Sequence, residues 1–257
     1  MKRGQVTIFI IAGIVIVAGV ALFFLFRSGI IPGTGGSEEI NSESFLETCL
    51  EPSLRNAIET ISLRGGKAEP ELYREFEFTE DGVSRNVAYL CYTNNYYVPC
   101  INQNPILISS LKLEIKNYVD EDVRNCFANL KRSLGKQGYV VEGELRDFDV
   151  GLSPGKAGIA IDASLKYSKS EEERNYEEFE ISIPSKFYDL AIVAQEIVSQ
   201  EARFCYFEYL GFMLLYPEFD IDKFRTGDST TFYTVSHRES GEKFRFAIRG
   251  CVSIPGF

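Results

Sequence analysis

From Ile8 to Phe26 the chain carries nineteen consecutive residues without a charge. As a helix rising about 1.5 Å per residue, this run would span roughly 28 Å, close to the hydrocarbon thickness of a bilayer. No polar face interrupts it, which separates it from an ordinary core helix. Its C-terminal end, Leu22, Phe23, Phe24, Leu25 and Phe26, is too bulky for the small-x-small cleavage site of a secretory signal, so the segment is expected to be retained. Lys2 and Arg3 precede it and only Arg27 follows closely, which keeps the N-terminus cytoplasmic and sends the remainder outside. The expected layout is a transmembrane segment at 1–27, in contact with the lipid bilayer through residues 8–26. A Gly-rich linker at 28–41 and an extracellular domain at 42–257 follow, giving a single-pass protein of the cell membrane. Ala12, Gly13, Ala18 and Gly19 put small residues along one stripe where a second span could approach closely, the alternative being the ordinary tolerance of membrane helices for glycine; a homo-oligomer or another envelope protein is left open as a partner.

Lys2, Arg3 and Arg27 account for three of the 27 basic residues and for none of the 37 acidic ones, so the part beyond the span carries about −13. Such a surface repels nucleic acid, and no nucleic-acid partner is expected. With 20 Phe and 14 Tyr it has ample material for a core. All six cysteines, Cys49, Cys91, Cys100, Cys126, Cys205 and Cys251, fall after the span. An even number on the exported side reads as up to three disulfides, the alternative being reduced thiols packed as small hydrophobes. Six cysteines allow fifteen connectivities. Several fit, and one joins Cys91 to Cys100 across a short loop, Cys49 to Cys126 between two helices, and Cys205 to Cys251.

Periodicity beyond the linker gives a helix through "SESFLETCLEPSLRNAIETISLRGG", with Pro52 expected to kink or restart it, then a hairpin from "ELYREFEFT" and "VSRNVAYLCYT". A second helix is expected from about Ile106 to Leu134, followed by an antiparallel meander of "YVVEGELRDFDVGL", "GIAIDASLKYS" and "YEEFEISI". Ser185 opens a third, long helix over about 186–215, with Cys205, Leu210 and Met213 on its inward stripe, and a hairpin ends the chain. The expected class is α+β: an N-terminal transmembrane helix and then an extracytoplasmic head of helices packed on antiparallel sheets.

Little in this chain invites catalysis. "GLSPGKAG" (Gly151 to Gly158) has the wrong glycine spacing for a phosphate loop, and Ala157 stands where a Ser or Thr is needed, so it reads as a turn. Glu142, Glu144, Asp147 and Asp149 alternate along one strand, the residue type that glycoside hydrolysis uses in pairs and equally the pattern of a solvated strand face. Asp220, Asp222 and Asp228 lack the order of a calcium loop. His237 is the only histidine, which disfavours triads and multi-histidine metal centres. No cofactor, no metal and no catalytic residue is therefore assigned. The stretch holding Tyr92, Asn94, Asn95, Tyr96 and Tyr97 has the Tyr and Asn mixture of recognition loops, its alternative being a loop folded back on its own rings.

Arg3-Gly4-Gln5 before the apolar helix resembles the class III signal of archaeal pilins. The resemblance implies cleavage between Gly4 and Gln5 by a prepilin peptidase, which would be a transient partner, and retention of the span. Phe9 departs from that pattern, since filament-forming pilins generally carry Glu there. Over a greater length, "KRGQVTIFII", "FLETCL", "LRGG", "NNYYVP" and "YVDEDVRNCFANL" together are similar to uncharacterised single-span surface proteins of small-genome archaea. That similarity implies location and architecture and adds no reaction. The expected function is a membrane-anchored cell-surface protein with a structural or recognition role at the envelope. A pilin-like filament subunit processed after Gly4 and an envelope glycan hydrolase using the strand carboxylates are the alternatives.

Overall fold

The computed structural model describes residues 41–80, 82–170 and 172–253, together with Val17. The expected membrane span, the linker and the processing site Gly4-Gln5 lie outside the described residues, apart from Val17. Among the described residues no helix is long and apolar enough to cross a membrane. Ile40–Phe257 form one compact unit. All the buried residues described lie within it, as do all six cysteines.

The architecture is α+β. Helix α1 (Ser42–Ser62) and helix α2 (Leu107–Lys136) form an antiparallel pair joined by a disulfide between Cys49 and Cys126. Asn41 caps α1, its side chain accepting the Glu43 and Ser44 N–H groups. Leu46, Leu50, Leu54, Ala57, Ile58 and Ile61 form its buried stripe at helical spacing. That stripe runs through Pro52, so the helix continues where a kink or restart was expected. Packing on both sides of the proline, with Cys49 bridged one turn before it, offsets the lost hydrogen bond.

The meander is as expected: β4 (Val140–Ser153), β5 (Lys156–Lys169) and β6 (Glu172–Pro184) pair antiparallel in that order. Phe148, Val150 and Leu152 of β4 face inward with Ile159, Ile161 and Leu165 of β5 and Phe179, Ile181 and Ile183 of β6, and α1 and α2 cover this face. "SPGK" is the turn joining β4 to β5, with Gly155 at φ +72°, the left-handed position that follows proline in a type II turn.

The second sheet has the order β1-β2-β9-β8-β7, with β3 added against β2. Its members are β1 (Tyr73–Phe78), β2 (Val83–Tyr92), β3 (Ile101–Asn102), β7 (Phe219–Arg225), β8 (Thr231–His237) and β9 (Lys243–Arg249). The sequence suggested antiparallel sheets only, yet β2 and β9 run parallel. Alternating burial fixes which face of a strand is wet but not the direction of a neighbour far away in sequence. One face of this sheet joins the main core through Phe244, Phe246, Tyr233 and Val235, against helix α3 (Phe187–Phe204). On the other face the sheet curls. Phe76 of β1 lies 5.3 Å from Phe224 of β7 and 4.3 Å from Phe232, closing a small second core with Phe78, Val87, Tyr89 and Ala247.

The long helix expected over 186–215 is two helices. α3 ends at Phe204, Cys205 takes a left-handed conformation (φ 57°), and a short helix α4 (Tyr209–Leu215) follows. The break puts Leu210 at the surface and leaves α4 with no fully buried residue. Sequence reading also missed β7, because its alternation sits in the short segment "FDIDKFR" immediately after a proline-stopped helix.

Candidate recognition surface

The loop between β2 and β3 carries the Tyr and Asn residues singled out above. Tyr92 is half-buried, its ring packed edge-on against Tyr89 at 4.9 Å, so it belongs to the sheet. Asn94, Asn95, Tyr96 and Tyr97 are exposed, as are Val98, Pro99 and Ile101. Tyr97 and Ile101 are 61% and 71% exposed.

Two kinds of bond hold it, disulfides and backbone hydrogen bonds. Cys91, buried in β2, is joined to Cys100 and closes the loop at its base. The C-terminal segment then lies along it, with Cys251 N–H donating to Val98 O at 2.7 Å and Tyr97 N–H donating to Val252 O at 2.9 Å. Cys251 is bonded in turn to Cys205 at the junction of α3 and α4. The three disulfides form the arrangement set out above among fifteen possible ones. Phe204 and Tyr206, which flank Cys205, are 62% and 53% exposed. Tyr96, Tyr97, Val98 and Ile101 on the loop and β3, and Phe204 and Tyr206 next to the bridged Cys205, are all exposed.

Backbone strain is concentrated at this place. Five non-glycine residues among those described have a left-handed backbone, and three of them, Tyr97 (φ 59°), Cys205 (57°) and Cys251 (51°), belong to this knot. Each such residue costs about 1 kcal/mol or more and persists only where surrounding bonds over-determine it. Here the covalent bridges and the paired backbone do so.

Beside Tyr206 lies a buried polar cluster. Glu201, in the last turn of α3, accepts from Lys223 Nζ of β7 at 2.9 Å and from the Tyr233 hydroxyl of β8. The Lys223 ammonium lies over the rings of Tyr233 (5.1 Å) and Tyr206 (5.5 Å), which ties the cluster to the surface. Burial, and then the neighbouring Glu201 carboxylate, push the Tyr233 phenol far above its ordinary range. At the surface, a hydrogen bond from the Tyr206 hydroxyl holds Glu208 below the usual carboxylate range, with help from the Gly211 N–H.

The other sequence candidates fall elsewhere. Glu142, Glu144, Asp147 and Asp149 stand on the exposed outer face of the meander. Lys116 of α2 reaches round the edge of β4 to Asp147 (3.0 Å) and Asp149 (3.4 Å), and its hydrogen bond lowers the Asp147 carboxyl below its ordinary value. Asp220 and Asp222 are on β7, while Asp228 lies in the following turn and pairs with Arg74 at 3.2 Å, so the three are not brought together. Among the described residues no group of three or more His, Cys, Asp or Glu is placed to hold a metal ion.

Comparison with protein-family models, with curated proteins and with solved structures returned no match to this chain.

Proposed function

We propose that the protein is a membrane-tethered cell-surface receptor or adhesion module, whose head presents the Tyr96–Tyr97 patch to a partner outside the cell. The single observation that carries this reading is the double covalent bracing of an exposed aromatic loop, with strained backbone at its centre. Rigid Tyr side chains offer contact area at low entropic cost, and a braced loop loses less freedom on binding.

The loop and the start of α1 lie at different ends of the head. The described chain begins at Asn41 beside Tyr167, where the Ser42 hydroxyl donates to the Tyr167 hydroxyl, and Tyr167 meets Tyr139 just past the end of α2. The recognition loop instead precedes the start of α2. The thirty residues of α2, about 45 Å of helix, separate the two. The span at 8–26 supports the tether, and the Arg3-Gly4-Gln5 motif supports pilin-type processing of it.

The test uses the head, residues 40–257, immobilised and exposed to purified envelope glycans and surface proteins. Binding should fall at least tenfold in the Tyr96→Ala/Tyr97→Ala protein, the loss expected of central aromatic anchors. Binding unchanged by that double substitution would remove the patch from the proposal.

A further inference from the structure

A recess lies between the outer face of α3 and the short helix α4, with a volume of about 820 Å³. This is within the range of small-molecule sites. Its walls are apolar: Tyr188, Ile192 and Val193 from α3, and Phe212, Tyr216 and Phe219 from α4 and the start of β7. The chain's only histidine opens onto it. His237, at the end of β8, is 5% exposed, and its Nδ1 accepts the Ser240 N–H at 3.2 Å. A ring nitrogen that accepts holds no proton, so the neutral ring carries its proton on Nε2. Among the described residues no acceptor meets that Nε2–H. His237 lines the recess, so this donor can meet an acceptor that enters from outside.

The rim restricts what can enter. Asp189, Glu196 and Glu218 stand around the mouth against the single cation Lys186, which is itself 3.8 Å from Asp189. An anion would be repelled there, whereas an uncharged molecule would not. From the apolar walls, the His237 Nε2–H that lines the recess and the acidic rim, we infer a binding site for an uncharged aromatic small molecule with one carbonyl-type hydrogen-bond acceptor. The ring system packs between Ile192 and Phe212, and the acceptor meets His237 Nε2–H. This site is independent of the Tyr96–Tyr97 surface.

One histidine gives one set of imidazole signals, so long-range 1H–15N spectra of the head (40–257) report the site directly. Titration with 2-naphthamide should move those signals in a saturable manner. Ile192→Trp, at a half-exposed position where the larger ring fills the recess without disturbing the core, should weaken binding more than tenfold. His237→Phe, followed through the backbone amide signals of Ile192 and Phe212 because it has no imidazole, should weaken binding about fivefold, the scale of one lost hydrogen bond. 2-Naphthoate, with its negative charge, should bind more weakly than the amide. Imidazole signals that do not move at millimolar 2-naphthamide would overturn the inference. So would binding unaffected by Ile192→Trp, and so would naphthoate binding as tightly as the amide.

Discussion

At the scale of single residues, the region around the knot is determined by close contacts that leave no slack. A Cβ on Gly250 would stand 2.9 Å from both the backbone nitrogen and the Cβ of Cys100, so the strand leading to Cys251 fits only because nothing projects there. Gly250→Ala should therefore cost about 1–3 kcal/mol in urea unfolding, the scale of overpacking. A cost below a few tenths would mean that this approach is not tight. Tyr233 leads to a prediction in pH. Its folded pKa lies well above its unfolded value, so its stabilising contribution is complete below about pH 10 and is lost as pH rises beyond that. The unfolded chain releases the proton while the folded one retains it. Stability should thus fall more steeply above pH 10 in the wild type than in Tyr233→Phe, by up to about 1.4 kcal/mol per pH unit. Parallel slopes from urea melts at pH 9–11.5 would contradict the assignment.

At the scale of elements, the disulfides differ in what they close. The Cys49–Cys126 bond has a sequence separation of 77, Cys205–Cys251 of 46 and Cys91–Cys100 of 9. On loop entropy alone, replacing the pairs by serine should cost about 4.5, 4 and 2.6 kcal/mol respectively. Urea midpoints of the three double-serine proteins would check the order, and Cys91/Cys100 proving the most costly would show that its effect is packing and not chain entropy. Much at this scale was legible in the sequence. The stripes of α1 and α2 and the alternation of the meander are local patterns, and a local pattern survives without its context. What escaped was decided elsewhere in the chain. The helix break at Cys205 follows from a bond to Cys251, the parallel pairing of β2 with β9 joins strands from opposite ends of the head, and Pro52 is held straight by packing. The candidate surface divided in the same way. Tyr96 and Tyr97 were visible as composition, whereas Phe204 and Tyr206 read as parts of one long helix. His237 was visible only as a lone histidine, because the recess it opens onto is formed by residues from three elements.

At the scale of the whole molecule, the proposal joins a head whose bridges fix an aromatic surface to a span that would hold it outside the cell. N-terminal sequencing of the protein from membranes should begin at Gln5 if the pilin-like motif is processed, and a start at Met1 or Lys2 would remove prepilin peptidase from the account. The most direct measurement treats intact cells with a membrane-impermeant thiol reagent, with and without an impermeant reductant, and reads each cysteine by mass spectrometry. The account predicts no label before reduction. On reduction, label should appear first at Cys205, which is exposed, and at its partner Cys251, ahead of the buried Cys91 and Cys100. Free thiols that react only after lysis, without any reductant, would place the head in a reducing compartment and contradict it.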